Sequence, residues 1–295
     1  MGALGLCSAG IGALLLLVGG TTATSGPGSR ASGTAAPAST PAPSTPPVPA
    51  TTTTTLPAPP VSAGTWHPIL DAGFAGNQLD PGTWTNCYPW FTDPARGCTN
   101  FGNDELEWYL PSQDQVSGGA LHLVADETPT SGTDAGGAST VYPWTSGMVT
   151  TWGHFSFTYG FVEIEARVPA GQGLWPALWL LPTTLTSPPE IDIMEGLGTA
   201  PFSASFTLHA AGSSKQEQDL PDPDLPTGYH LYAVDWEPGS ITWYVDGNAA
   251  FSTTTGVPDQ PMYFLADLAV YGSTALHSGA STPTTNSFDI SRVAV

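Results

Sequence analysis

From residue 64 onward, the chain is built of short segments in which apolar and polar residues alternate, and no long segment has a helical period. The clearest alternation runs from Gly160 to Val168, where the even positions are apolar and most odd positions are polar. Because successive side chains of a strand point to opposite faces, this pattern predicts a strand with one buried face. Gly, Pro, Thr and Asn interrupt the remaining sequence every several residues, which favours strands over helices.

Further segments of the same kind predict a succession of short strands. They are Ala120 to Ala125, Gly147 to Thr151, Leu174 to Leu181, Tyr229 to Trp236, Ile241 to Val245, Met262 to Val270 and Phe288 to Val295. Residues 237–240 and the pair Asp246 and Gly247 have the composition of tight turns, so they predict two consecutive antiparallel hairpins. This number of strands predicts an all-β, two-sheet antiparallel sandwich.

The chain divides into three parts by composition. Residues 1–23 are small and apolar, with the run Leu14 to Leu17, and predict a secretory signal peptide. An uncleaved membrane anchor is the alternative, because no basic residue precedes the apolar run. Residues 24–63 are rich in Pro and Thr and predict an extended linker, with plain disorder as the alternative. Residues 64–295 are long enough for one all-β domain, which we expect to be outside the cell.

The charge of the predicted domain excludes several kinds of partner. All 25 acidic residues follow position 63, together with only four of the five Lys and Arg residues. Nucleic acids and anionic membrane surfaces are bound by clusters of basic side chains, so neither is an expected partner. Sulfated polysaccharides are disfavoured for the same reason. A neutral ligand is therefore expected.

The cysteines predict one disulfide. Cys7 falls inside the predicted signal peptide, which leaves Cys87 and Cys98 as the cysteines of the mature protein. An even number of cysteines in an exported chain favours a disulfide, and two buried free thiols are the alternative.

Three carboxylates lie close together in the segment Glu190 to Glu195 (EIDIME). In a regular strand Glu190 and Asp192 would share one face, and Glu195 would point to the other. One extra residue in a β-bulge around Ile193 and Met194 would return Glu195 to the side of Glu190 and Asp192. The segment therefore predicts a bulged strand with three carboxylates on one face.

Such a row of like charges costs stability unless it serves a chemical purpose. Retaining glycoside hydrolases require two carboxyl groups about 5 to 5.5 Å apart, one as nucleophile and one as proton donor. The alternative is an edge strand decorated with solvated charges. Two prolines precede the segment, and its alternate positions are apolar, which an edge strand does not explain. The carboxylates therefore favour cleavage of a polysaccharide.

The segment Leu174 to Leu181 places Trp175 and Trp179 on the same face of a strand. Aromatic faces of this kind bind sugar rings, although large aromatic side chains also dominate protein cores. We expect Trp175 to line a cleft, and either role is open for Trp179. Pro176 lies between them and favours an irregular or edge position for this strand.

Four blocks of the sequence resemble glycoside hydrolase family 16, and among its members the bacterial laminarinase-like endo-β-1,3-glucanases. The blocks are Gly102 to Tyr109, Phe155 to Leu181, Glu190 to Gly198 and Tyr229 to Gly247, within a similarity that spans Trp66 to Val295. The resemblance implies a concanavalin A-like jelly-roll sandwich with a concave substrate cleft. It also implies cleavage with retention of the anomeric configuration.

The resemblance assigns roles to the three carboxylates. Glu190 matches the nucleophile, Glu195 the general acid/base, and Asp192 the carboxylate that orients and tunes the nucleophile. Glu195 must hold a proton near the working pH, and we expect the charges of Asp192 and Glu190 to raise its pKa.

Substrate-binding residues follow from the same resemblance. Trp175 matches an indole near the cleaved bond, and His209 matches a histidine that faces the cleft. Asn103 and Asp104 are candidates for sugar contacts, and Trp179 joins them if it faces the cleft.

No cofactor or catalytic metal is expected, since the six histidines lack a metal-binding spacing of the HExxH type. Many members of the family bind a structural calcium ion through an aspartate of the last strand. The resemblance aligns Ser291 of this chain with that aspartate and therefore disfavours calcium. The chain is expected to be a monomer.

The resemblance leaves several functions open. The first is hydrolysis of a neutral β-1,3-glucan or mixed β-1,3-1,4-glucan within the chain. Transglycosylation and hydrolysis of a neutral galactan use the same catalytic residues. A glucan-binding module without turnover is the alternative outside catalysis, and the presence of both glutamates weighs against it.

Overall fold

The structure, a computed structural model, describes residues 67–91, 93–101, 103–197, 202–212, 214–222, 224–272 and 285–295. These residues all belong to one compact unit. The predicted signal peptide and linker lie outside the described residues. Within the described part of the chain, no helix has the length and apolar character needed to cross a membrane.

Eighteen strands make up the described fold. The first nine are β1 (Asp71–Gly73), β2 (Glu107–Tyr109), β3 (Asp114–Ser117), β4 (Ala120–Asp126), β5 (Thr130–Thr133), β6 (Ser139–Tyr142), β7 (Trp144–Ser146), β8 (Met148–Thr150) and β9 (Gly160–Arg167). The remaining nine are β10 (Leu174–Pro182), β11 (Glu190–Leu197), β12 (Ser203–Ala210), β13 (Ser214–Pro221), β14 (His230–Glu237), β15 (Ser240–Val245), β16 (Asn248–Thr253), β17 (Met262–Val270) and β18 (Thr285–Ala294). Three short 3₁₀ helices span Pro94–Arg96, Pro111–Gln113 and Leu225–Thr227.

The strands form two large sheets and a separate hairpin. The larger sheet has the order β16-β15-β14-β9-β18-β4-β7-β2, with β1 paired to β18 and β3 paired to β4. The smaller sheet has the order β13-β12-β11-β10-β17-β8. Strands β5 and β6 pair only with each other. Neighbours in the two large sheets are antiparallel except for β2 and β7, which are parallel. This arrangement confirms the predicted antiparallel sandwich.

The core lies between the two large sheets. In the larger sheet, Ile164 of β9 and Val234 of β14 are fully buried. In the smaller sheet, Leu178 of β10, Ile191 of β11 and Phe264 of β17 are fully buried and belong to the same apolar cluster. Alternate residues of these strands therefore supply the core, and the residues between them face outward.

The predicted strands agree with the structure to within a few residues at each end. Met262 to Val270 coincides with β17, and the two predicted hairpins are β14-β15 and β15-β16. Asp246 and Gly247 have φ values of 50° and 76°, which are the positive angles that a tight hairpin turn requires.

The expectation of an edge position for the strand with Pro176 is wrong, whereas an irregularity in its pairing is present. Strand β10 lies in the interior of the smaller sheet, between β11 and β17. Pro176 is opposite Leu268 of β17, while pairing with β11 begins at Ala177. The proline is tolerated because it lies outside the ladder with β11, where its missing N–H would be needed.

The predicted disulfide is present and ties a loop to β2. Cys87 and Cys98 are bonded to each other and are both fully buried. Cys98 also exchanges two backbone hydrogen bonds with Tyr109 of β2, of 2.7 and 3.1 Å. The disulfide therefore joins two cysteines that are 11 residues apart in the sequence, at the side of the smaller sheet.

We expect the double variant Cys87→Ser, Cys98→Ser to be less stable by about 2 to 3 kcal/mol, because the unfolded chain regains the entropy of the open loop. For a domain of this size the melting temperature should fall by about 5 to 10 °C, measurable by differential scanning calorimetry. A reductant should lower the melting temperature of the parent and leave that of the double variant unchanged. Equal melting temperatures of parent and variant would contradict this expectation.

Candidate active site

The bulge in β11 determines where the three carboxylates point. Asp192 is opposite Trp179 of β10, but the next paired residue of β11 is Met194, opposite Leu178. Ile193 is therefore the extra residue. On the other side of β11, the pairing with β12 also shifts register, between Asp192 and Glu195. Ile193 and Met194 are both fully buried, and Glu195 returns to the face of Glu190 and Asp192, as predicted.

A residue of the opposite sheet secures this bulge. Trp243 of β15 is fully buried and its indole N–H donates a 2.8 Å hydrogen bond to the backbone carbonyl of Asp192. A buried carbonyl next to an irregular ladder needs such a partner, because an unpaired one would cost about 1 to 3 kcal/mol. The indole of Trp243 thus connects the core of the larger sheet to the strand that carries the carboxylates.

The outer face of the smaller sheet carries a cleft of about 560 Å³. Its floor is formed by β10, β11 and β17, and its side by the chain around the disulfide. The lining residues are Tyr88, Trp90, Asn100, Phe101, Asn103, Glu105, Ala135, Trp175, Ala177, Trp179, Leu181, Leu185, Thr186, Ser187, Glu190, Asp192, Glu195, Asp267 and Ala269. The cleft therefore combines aromatic surfaces with carboxyl groups, the composition of a site for a polyhydroxylated ligand.

Each of the two glutamates has a specific polar partner. The indole N–H of Trp175 donates to Glu195 Oε1 at 3.1 Å, and the Ser187 hydroxyl donates to Glu190 Oε2 at 2.8 Å. His209 lies opposite Glu190 on β12, and its Nε2 is 3.2 Å from Asp192 Oδ2 and 4.0 Å from Glu190 Oε1. The structure therefore brings Trp175 and His209 to the carboxylates, where the resemblance placed them.

Burial and mutual repulsion raise the pKa values of all three carboxyl groups. Burial is the larger cause of the rise in the pKa of Glu195 to about 7, and the charge of Glu190 adds to it. The pKa of Glu190 also rises to about 7, first through burial and then through the charge of Asp192. Burial and the charge of Glu195 raise the pKa of Asp192 well above its usual range. The sequence predicted that neighbouring charges raise the pKa of Glu195, and the structure shows that burial is the larger cause of this rise.

Burial and mutual repulsion therefore disfavour the state in which all three groups are charged. Asp192 is almost completely buried, whereas the side chain of Glu190 is 14% exposed. A hydrogen bond joins Glu190 and Asp192, and it raises the pKa of Glu190 and lowers that of Asp192, so the two carboxyls hold one proton between them. Positive charge on His209 lowers the pKa values of Glu190 and Glu195 and so supports one anion in the group.

Of the three remaining residues predicted to bind substrate, two line the cleft and one does not. Trp179 lines the cleft and donates its indole N–H to Asp267 Oδ1 at 2.6 Å. Asn103 also lines the cleft, and its side-chain amide donates to Glu105 Oε1 at 3.3 Å. Asp104 is exposed and does not line the cleft; its backbone carbonyl accepts a hydrogen bond from the N–H of Gly272. The cleft thus contains Asn103 and Trp179 without Asp104.

A second group of carboxyls, which the sequence reasoning missed, lies beside the first. Burial raises the pKa of Asp267 to about 8 and that of Glu105 well above its usual range. The hydroxyl of Tyr109 lies 3.4 Å from Glu105 Oε2 and 3.4 Å from Asp267 Oδ2, while Glu107 accepts from the backbone N–H of Val270. Asp267 is the single charged residue of β17, and a lone carboxyl in such an apolar strand was the available signal.

The residues of the last strand do not fit a calcium site. The Ser291 hydroxyl donates to the backbone and side-chain oxygens of Glu165. Asp289 on the same strand is buried, and its two carboxylate oxygens bond Arg167 and His122. Calcium requires six to eight oxygen ligands, and the oxygens of Asp289 are already bonded by basic side chains.

The family of the chain follows from a comparison with known proteins. The model for the Glycosyl hydrolases family 16 matches residues 103–286, a range that contains the bulged strand and most of the cleft. The chain belongs to glycosyl hydrolase family 16. The resemblance in the sequence and the bulged carboxylate strand in the structure agree with this assignment.

Relatives in family 16 include several glucan-cleaving proteins. The chain is 38% identical to the Endo-1,3-1,4-beta-glycanase EglC of Rhizobium meliloti (strain 1021), over 66% of this chain and 44% of that protein. It is 33% identical to the Glucan endo-1,3-beta-glucosidase A1 of Niallia circulans, over 79% of this chain and 37% of that protein. The chain thus spans less than half the length of these curated relatives.

Solved structures of family 16 proteins share the fold. The endo-beta-1,3-glucanase of Pyrococcus furiosus is 30% identical, with a TM-score of 0.67 over 78% of this chain and 93% of that chain. The laminarinase catalytic domain of Thermotoga petrophila RKU-1 is 28% identical, with a TM-score of 0.66 over 78% of this chain and 97% of that chain. The jelly-roll sandwich expected from the resemblance is thereby confirmed.

The raised pKa of Glu195 predicts a pH-dependent change in stability. Between its ordinary value of 4.5 and about 7, the folded chain keeps a proton that the unfolded chain releases, so folding becomes less favourable as the pH rises through this window. In Glu195→Gln this loss is absent. Relative to the parent, the variant should gain about 3 kcal/mol of unfolding free energy between pH 4 and pH 8, measured by urea denaturation.

The matched control is Glu127→Gln, which alters an exposed glutamate between β4 and β5. Its stability relative to the parent should be the same at pH 4 and pH 8. If Glu195→Gln behaved like this control, Glu195 would not be a proton-holding group of the folded chain.

Proposed function

We propose that the chain is a secreted, retaining endo-glycosidase that hydrolyses β-1,3-glucan or mixed β-1,3-1,4-glucan. The observation that carries this proposal is the position of Glu190 and Glu195 on one face of β11, inside an aromatic cleft. The relatives of the chain, which include an endo-1,3-1,4-beta-glycanase and a glucan endo-1,3-beta-glucosidase, support the same substrate class.

In the first step, Glu195 gives its proton to the glycosidic oxygen while a carboxylate oxygen of Glu190 attacks the anomeric carbon. The glycosidic bond breaks, the leaving sugar departs with the proton, and an ester joins the remaining sugar to Glu190. The pKa of about 7 keeps Glu195 protonated below neutral pH, and the Trp175 indole N–H stabilises the carboxylate that proton donation leaves behind.

In the second step, Glu195 acts as a base. Because the ester has removed the charge of Glu190, the pKa of Glu195 falls, and its carboxylate can take a proton from water. The water oxygen attacks the anomeric carbon from the side that the leaving sugar vacated. The ester bond to Glu190 breaks, and the two inversions together retain the configuration.

Asp192, Ser187 and His209 hold the nucleophile ready for attack. The Ser187 hydroxyl donates to Glu190 and favours its charged form, and the hydrogen bond between Glu190 and Asp192 fixes the orientation of the nucleophile. His209 contacts the same pair from β12. We propose these three as positioning residues, because their contacts are with Glu190 or Asp192.

The charge of the site favours a neutral substrate. The cleft is lined by five carboxyl residues and by no Lys or Arg among the described residues. An anionic polysaccharide would be repelled, while a neutral glucan offers hydroxyls to the carboxyls and flat ring faces to Trp175 and Trp179.

Chemical rescue tests the assignment of the nucleophile. Glu190→Ala should lose about a thousandfold or more in activity on an aryl laminari-oligosaccharide with a good leaving group. Sodium azide fits the space of the missing carboxylate and should restore turnover, with an α-glycosyl azide as product because only one inversion occurs. Product configuration is read by NMR spectroscopy.

Glu195→Ala provides the complementary result. Its glycosyl ester still forms from the activated substrate, so azide should give the β-glycosyl azide after two inversions. Glu237→Gln should cleave the substrate at the parental rate. An unchanged rate in Glu190→Ala, or a β-azide from it, would contradict the assignment of Glu190.

We also propose that the chain acts outside the cell as a monomer without a calcium ion. The disulfide supports an oxidising compartment, and the basic partners of Asp289 support the absence of calcium. Treatment with EDTA should leave the melting temperature within about 1 °C, since no ion that binds the folded state would be removed. A drop that added calcium reverses would contradict this.

A further inference from the structure

We propose that Trp90 forms an additional sugar-stacking subsite in the cleft, displaced from the catalytic carboxylates toward the side of the disulfide loop, residues 87–98. This inference rests on the proposed glucanase function and deepens it, because it assigns a second contact point for a long glucan chain. Neither the carboxylate motif nor the two tryptophans of β10 indicate it.

A continuous series of aromatic rings leads from the floor of the cleft to Trp90. Trp179 of β10 meets Tyr88 edge to face, with ring centroids 6.2 Å apart. Tyr88 is fully buried and is stacked on Trp90, with centroids 4.5 Å apart and an interplanar angle of 8°. Tyr88 also meets Tyr109 of β2 edge to face, with centroids 6.0 Å apart, and the Tyr109 hydroxyl lies 3.4 Å from Asp267 of β17. Because β17 and β11 lie on opposite sides of β10, the series leads away from the strand that carries the carboxylates.

The indole of Trp90 has one face available for a ligand. Tyr88 covers one face in a stacked arrangement, yet Trp90 is only partly buried and is one of the residues that line the cleft. The exposed part of the ring therefore faces the cleft. A flat apolar surface beside a polar cleft is the type of surface on which a sugar ring packs.

The loop that carries Trp90 is fixed in place by three further contacts. The disulfide joins its two ends, and the indole N–H of Trp108 on β2 donates to the backbone carbonyl of Arg96 at 2.7 Å. Gly97 has a φ of 86° and packs so closely on β2 that an added Cβ would lie 2.2 Å from the Tyr109 carbonyl oxygen. A rigid loop lowers the entropy cost of binding a ligand on Trp90.

Polar groups accompany Trp90 on this side of the cleft. Asn100 and Asn103 both line it and offer amide donors and acceptors for sugar hydroxyls. Ala135, in the turn between β5 and β6, also contributes to the lining. An aromatic ring and side-chain amides that line the same cleft are the kinds of groups that bind a sugar ring.

The competing explanation is that Trp90 only packs the loop against Tyr88. The two explanations differ in how the effect of a substitution depends on ligand length. A packing role would perturb Tyr88 and Trp179 and weaken the binding of all oligosaccharides. A stacking subsite would affect only the oligosaccharides that are long enough to reach Trp90.

The test uses the full chain with Glu190→Ser, which binds without turnover, and laminari-oligosaccharides of two to six sugars in isothermal titration calorimetry. Affinity should increase at the length that reaches Trp90. Trp90→Leu keeps apolar packing on Tyr88 but lacks a flat ring, so it should lose this increase, about three- to tenfold in Kd, with unchanged affinity for shorter ligands. Trp90→Phe keeps a smaller flat ring and should lose only about twofold, again for the longer ligands alone.

Tyr229→Leu is the matched control, since Tyr229 is an exposed aromatic residue that contacts Arg167 of the larger sheet. It should bind every ligand as the Glu190→Ser chain does. Equal losses at all lengths in Trp90→Leu, or no loss at any length, would overturn the inference. If Trp90→Leu did not fold, a length-restricted decrease of about twofold in Trp90→Phe would support it, and parental affinity at every length would overturn it.

The same measurements separate this inference from the proposed function. If the parent chain cleaved no β-glucan and the Glu190→Ser chain bound none of the ligands, the glucanase proposal would fail, and the subsite with it. If cleavage and binding were intact and only the dependence on Trp90 were absent, the subsite alone would fail.

Discussion

The site depends on one irregularity in one strand, the extra residue of β11 between Asp192 and Glu195. Without it, Glu195 would point into the core, and Ile193 and Met194 could not both be buried there. The bulge also disturbs the backbone ladder, and the indole of Trp243 compensates by bonding the carbonyl of Asp192 from the opposite sheet. The packing of the two sheets and the geometry of the carboxylates are therefore parts of one arrangement.

Burial is the second property that defines the site. Carboxyl groups in this cleft are placed among aromatic side chains, so their charged forms are disfavoured and their pKa values rise. This costs stability near neutral pH, but it supplies an acid that still holds its proton at that pH. Asp267 and Glu105 belong to a second set of buried carboxyls in the cleft, and burial raises their pKa values as well. Asp267 also accepts a hydrogen bond from the indole N–H of Trp179 and so holds that ring in place. The cleft is thus acidic in composition and only partly charged.

Aromatic residues connect these polar groups to the rest of the fold. Trp175 and Trp179 come from an interior strand, whereas Tyr88 and Trp90 come from a loop that is closed by a disulfide. The loop reaches the cleft because β2 holds it through Trp108 and Tyr109. A rigid sheet and a tethered loop thereby form one continuous surface, which suits a ligand longer than a single sugar.

The sequence alone determined the all-β class, the positions of most longer strands and the bulge, since alternation of side chains and the spacing of Glu190, Asp192 and Glu195 are local properties. It also indicated the disulfide and Trp175. It did not locate the eight-residue strands β12 and β13. Nor did it locate short strands such as β2 and β5, whose few residues carry too little pattern, and it misjudged the strand with Pro176, because strand order is not a local property. Only the tertiary structure brought Asp267, Tyr88 and Trp90 to the cleft and made burial the main cause of the raised pKa values, because these depend on contacts between segments far apart in the chain.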